Sequence, residues 1–140
     1  MTIDQSRTEL RYVPGLSGDV VASLSNDGRA EIIARVAVAE ARRRGARLRF
    51  LQVVQDGLTA DERADADQST FRGAVRALRG FRGIPCRFEL VTGDPTPVLV
   101  DLSRNASVII VGDDTETGTH AAEACRALGS CPVISVPVLR

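Results

Sequence analysis

The sequence predicts an α/β domain built on an open, five-stranded parallel sheet with helices on both faces. Three observations predict it. Five short apolar runs alternate with four helical segments, an order that calls for parallel pairing through crossover helices. Residues 107–111 (SVIIV) are apolar throughout, as in strands covered on both sides. Turn-forming residues such as Asn26-Asp27-Gly28, Gly93-Asp94 and Gly112-Asp113 follow the apolar runs.

The elements follow in order. Residues 19–25 (DVVASLS) read as the first strand, and Asn26, Asp27 and Gly28 break it and offer a helix cap. Residues 29–44 are helical, with Ile33, Val36, Ala37 and Ala41 on one face and Arg35 and Arg42 outside. Gly45 closes this helix after a basic last turn that suits the helix dipole. Residues 48–54 (LRFLQVV) form the second strand, ending at Val54.

Thr59 and Glu62 have the spacing of a capping box. Residues 60–68 are charged and weakly patterned, which leaves helix and loop both open, whereas Phe71, Ala74, Val75 and Leu78 make a helical stripe. Residues 86–91 (CRFELV) alternate as a third strand. Asp94 then caps a helix with Pro95 in its first turn and Val98, Leu99 and Leu102 toward the core. The fourth strand is 107–111, the last helix 119–128 closed by Gly129, and the fifth strand 133–136, limited by Pro137. Residues 1–18 lie outside the pattern as an N-terminal extension, arm or disordered segment, with Leu10-Arg11-Tyr12-Val13 as its one strand-like stretch. The domain itself is expected over 19–140.

Composition narrows the function. A chain of 140 residues fits one domain. Its net charge is zero, which argues against nucleic acid as a partner. No apolar run approaches the roughly 20 residues needed to cross a bilayer, and residues 1–10 lack a secretory pattern. A cytoplasmic location and no membrane partner are the expectations. Cys86, Cys125 and Cys131 contain no CxxC and accompany a single histidine, His120, so no metal site is expected. The cysteines read as small buried hydrophobes, with Cys131 at a loop-to-strand entry.

In such a sheet a ligand binds beyond the carboxyl ends of the strands. Those positions hold Ser25, Asn26 and Asp27; Gln55 and Asp56 beyond Val54; Gly93 and Asp94; and residues 112–119.

From Asp19 to about Val136 the chain resembles the universal stress protein family. The resemblance is carried by the first strand with its Asn-Asp turn, the ARRRGARL stretch before the second strand, Gly93-Asp94-Pro95, VIIVG, and Cys131-Pro132-Val133. It implies strand order 3-2-1-4-5 in a Rossmann-like, adenine nucleotide alpha hydrolase-like fold, and a homodimer through the last strand. The edge residues of that dimer are Val133, Ile134, Val136 and Val138.

Nucleotide-binding members carry G-x2-G-x9-G-[ST] after strand four and an aspartate at the end of strand one. Here Ser25 stands at the aspartate position. Gly112 matches the first glycine, Thr115 stands at the second, and only five residues separate Gly118-Thr119 from Gly112. Asp113, Asp114 and Glu116 put negative charge where phosphate cradles use glycine, and Asp27, Asp56 and Asp94 add to it. The expectation is therefore a regulatory or interaction module without a cofactor, acting as a homodimer or through a protein partner.

The alternative is an ATP or AMP sensor. It would use Ser25, Asn26, Val54, Gly93, Gly112, Gly118 and Thr119, with magnesium bridging acids and phosphates. No enzyme is expected, since no acid–base pair accompanies Ser25. Asp113 and Asp114 read as solvated loop acids, Gly118-Thr119 as the cap of the last helix, His120 as an exposed neutral side chain, and Arg42, Arg43 and Arg44 as a solvated helix end.

Overall fold

The computed structural model describes residues 2–3 (backbone only), 18–25, 28–54, 57–114 and 120–137. The strands are β1 (Thr2–Ile3), β2 (Val20–Leu24), β3 (Leu48–Val54), β4 (Pro85–Thr92), β5 (Val108–Gly112) and β6 (Val133–Val136). The helices are α1 (Ala30–Arg44), α2 (Ala60–Leu78), α3 (Thr96–Leu102) and α4 (Ala121–Leu128).

The strands form one parallel sheet in the order β1-β4-β3-β2-β5-β6. Its five long strands reproduce the expected order 3-2-1-4-5. The addition is β1, whose Thr2 and Ile3 pair with Pro85 and Cys86 and tie the start of the chain to the sheet edge. The strand-like stretch at Leu10–Val13 lies outside the described residues.

Alternation along the strands builds two apolar layers. Val20, Ala22, Leu24, Leu48, Phe50, Val108 and Ile110 face α1 and α2. Val21, Leu51, Ile109 and Val111 face α3 and α4, meeting Leu99, Ala121, Ala122 and Cys125. Helices thus cover both faces, so β2 and the first four residues of β5 are buried throughout.

Local signals operate as read. Gly45 closes α1 at φ 64°, a left-handed value that costs glycine little. The capping box at α2 is complete: Glu62 N donates to Thr59 Oγ1 at 3.1 Å, and Thr59 N donates to Glu62 Oε1 at 2.9 Å. Thus 60–68 is helix, not loop, and α2 runs unbroken for 19 residues.

Other residues depart from expectation. Val98 is exposed while its neighbour Leu99 is fully buried, because α3 turns a single side toward the sheet. Phe71 is 43% exposed and rests on Phe88 of β4, which in turn meets Phe50. The arginines ending α1 are engaged: Arg42 stacks over the Phe81 ring, and Arg43 and Arg44 both donate to Glu40.

Candidate functional site

Strand order reverses between β2 and β5, so the crevice of this sheet lies beyond their carboxyl ends. Of the expected site residues, Ser25, Val54, Gly93 and Gly112 are described; Asn26, Gly118 and Thr119 lie outside the described residues, as do Asp27, Gln55, Asp56 and Glu116. Ser25 follows β2, Val54 ends β3 with its side chain buried, Gly93 follows β4, and Gly112 ends β5. The topology therefore brings the described four to one edge of the sheet.

Among the described residues, two side chains stand out at this edge. The first is Arg29, which stands at the N-cap position of α1 and is only 9% exposed. Its Nη1 donates to the Asp113 carbonyl at 2.9 Å, linking the start of α1 to the end of β5 across the reversal point. The guanidinium lies directly on Gly112: a Cβ built there would sit 2.5 Å from Arg29 Cζ. Gly112 is thus glycine because an arginine packs on it, and what lies over it is a bonded side chain rather than an open cradle. Sequence reasoning missed Arg29. Its spacing to Asp113, 84 residues, carries no local signal, and an arginine opening a helix looks like a solvated charge.

The second is Asp114. Its Oδ1 accepts from Ala122 N at 3.0 Å and its Oδ2 from Glu123 N at 3.1 Å. These are first-turn donors of α4, the groups a helix offers to an anion. The expectation of Asp114 as a solvated loop acid is therefore corrected, since both carboxylate oxygens cap a helix. The cap expected at Gly118-Thr119 lies outside the described residues; the N-cap position is His120, exposed and without a capping side-chain bond, and Asp114 supplies capping oxygens. The helix accordingly begins at Ala121 rather than at residue 119.

Asp94 behaves alike at α3, where its Oδ1 accepts from Thr96 N at 2.9 Å. Asp94 thus caps its helix as the sequence predicts, and Asp114, read as a solvated loop acid, neutralises a helix start as well. Asp113 N donates to the Val136 carbonyl at 2.8 Å, which fixes the exit of β5 against β6.

Among the described residues of this edge, Asp94 and Asp114 are both engaged as helix caps. No group of three or more histidine, cysteine, aspartate or glutamate side chains converges to hold a metal among the described residues. Burial raises the thiols of Cys86 and Cys125, the former to about 11, and also that of the half-buried Cys131. All three are poor thiolate nucleophiles at neutral pH.

No protein-family model and no curated protein matches the sequence. Solved structures do match. A universal stress protein from Archaeoglobus fulgidus is 24% identical with a TM-score of 0.63, over 86% of this chain and 93% of that one. The universal stress protein of that organism solved in complex with dAMP is 27% identical with a TM-score of 0.60, over 85% and 96%. A universal stress protein family member from Burkholderia pseudomallei is 25% identical with a TM-score of 0.56, over 90% and 100%. No helix of the described residues is long and apolar enough to cross a membrane. In fold, strand order and extent, the chain is a universal stress protein-like α/β domain.

Proposed function

We propose that the chain is a regulatory or interaction module that works without ATP, as a homodimer or through a protein partner, and that it is not an enzyme. One observation carries this reading: the anion-attracting start of α4 already holds an anion, the Asp114 carboxylate, on two backbone donors. A nucleotide phosphate seeking those N–H groups must first displace a covalently tethered carboxylate, whose effective concentration is high. Arg29 lying on Gly112 supports the same reading, because it fills space a ligand would need.

The homodimer rests on β6. Among the described residues its backbone pairs only with β5, and an open strand edge is usually covered. Val133 and Ile134 are half-buried and stand available to a two-fold copy, whereas Val136, expected at the edge, is buried in the chain's own core; Val138 lies outside the described residues. A cytoplasmic location accompanies this proposal.

A second reading, an adenine nucleotide sensor, is favoured by the Archaeoglobus fulgidus protein in complex with dAMP at 27% identity. Both readings are tested on purified full-length chain. Denaturation followed by chromatography of the supernatant is expected to release no adenine nucleotide, and light scattering is expected to give twice the 15.0 kDa chain mass. Stoichiometric AMP or ATP in the supernatant supports the sensor. A clean single-chain mass removes the dimer.

A further inference from the structure

At the opposite end of the strands, Arg47, Arg49 and Arg87 line a hollow of about 160 Å³ together with Asp19, Pro85 and Cys86. Arg47 leads into β3, Arg49 lies on it, and Arg87 lies on β4. Arg49 and Arg87 are register partners, so their side chains leave the same face of the sheet from neighbouring strands. Like charges directly opposed across strands are destabilising.

The acids nearby relieve this in part. Arg47 Nε donates to Asp19 Oδ1 at 3.1 Å, and Arg49 donates to both oxygens of Glu89, with Nη2 at 3.1 Å. Arg87, half-buried, has no acidic partner among the described residues. Three arginines against Asp19 and Glu89 leave one uncompensated positive charge in a recess. A neighbouring cavity of about 260 Å³ shares Asp19, Arg47 and Arg49, so the recess opens onto space for a larger solute.

We propose that this arginine-lined hollow binds an oxyanion of the phosphate class, either free phosphate or the phosphate group of a small solute. Arginine presents a planar fork that matches such oxygens in pairs. An anion between Arg49 and Arg87 also removes the repulsion of the register pair. The site is separate from the carboxyl edge, because residues 49 and 54 mark opposite ends of β3.

The test is a titration of the full chain with inorganic phosphate, and in parallel with succinate, at constant ionic strength, followed by amide NMR and thermal melting. Saturable shifts are expected at Arg47, Arg49 and Arg87, with phosphate raising the melting temperature and succinate without effect. Arg87→Gln is expected to weaken phosphate binding about tenfold or more, the loss of a charge-assisted contact. Arg72→Gln, exposed on α2 and lining neither cavity, is expected to leave binding unchanged. If Arg87→Gln fails to fold, Arg87→Lys serves, since it keeps the charge and loses the fork. Phosphate shifts that never saturate, equal phosphate affinity in the Arg87 variant, succinate binding as tightly, or shifts confined to residues 112–114 and the start of α4 each overturn the proposal. A phosphomonoester that binds where inorganic phosphate does, and more tightly, identifies the solute-borne form; equal affinity identifies free phosphate.

Discussion

Replacing Asp114 with alanine removes both capping bonds at α4 and leaves the Ala122 and Glu123 N–H groups without their protein acceptor. Loss of a helix cap costs about 0.5–2 kcal/mol, and loss of a negative charge at a helix start adds about 0.3–1 kcal/mol at exposed sites. The two overlap, so about 1–2 kcal/mol is expected. In a domain of this size that lowers the melting temperature by roughly 3–8 °C. Asp114→Asn keeps one acceptor oxygen and loses the charge, so its loss falls between. Asp113→Ala is the control: its backbone, not its side chain, makes the bonds to Val136 and Arg29, so its change stays within about 0.5 kcal/mol. The assay is urea unfolding of all four proteins followed by circular dichroism. If Asp114→Ala matches wild type, or matches Asp113→Ala, the carboxylate is not a cap in solution and the reasoning fails.

The other predictions concern the rest of the fold. Gly112→Ala pushes Arg29 from its bond to the Asp113 carbonyl and costs about 1–3 kcal/mol, the range for bonds to charged donors. In the Arg29→Ala background the same change costs much less; equal costs in both backgrounds contradict the packing described.

Acidification weakens the fold: hydrogen bonds from Arg35 and Arg76 to Glu31, from Arg43 and Arg44 to Glu40, and from the Thr59 backbone to Glu62 hold these carboxyls below their usual range. The unfolded chain then binds more protons, so this stabilisation is present above the ordinary carboxylate pKa and disappears as pH falls through the lowered values. A urea midpoint equal at pH 7 and pH 3 counts against it. At the alkaline end the slope reverses, because there the folded chain holds the proton more tightly than the unfolded one. Burial raises the Cys86 thiol to about 11, so its contribution is present below the ordinary thiol value and is lost as pH climbs toward 11. At pH 8 a thiol reagent reaches the half-buried Cys131 before the buried Cys86 and Cys125, and the reverse order argues against the packing.

The parts legible in the sequence were those set by neighbours in the chain. The Thr59–Glu62 capping box needs only three residues of spacing, and Gly45 sits where the apolar stripe of α1 stops. Apolar runs with turn residues between them were enough for five strands and four helices. The carboxyl-edge positions followed from topology, because a parallel sheet brings Ser25, Val54, Gly93 and Gly112 to one side whatever their side chains do. What fills that edge was not legible. Asp114 reaches donors eight and nine residues ahead, beyond the span of a local cap. Arg29 meets a carbonyl 84 residues away. Counting acids near the edge therefore overstated its bare negative charge: Asp114, like the predicted cap Asp94, is spent on a helix start. β1 escaped notice because two residues carry no periodicity, and only the open edge of β4 gives them a partner.

The central claim is that the chain's own carboxylate holds the anion seat of α4. Isothermal titration of the wild-type chain with magnesium ATP tests it most directly. The account predicts no saturable heat at millimolar nucleotide. A micromolar dissociation constant, with the matching stabilisation of about 2.7 kcal/mol at a hundredfold excess over it, contradicts the account.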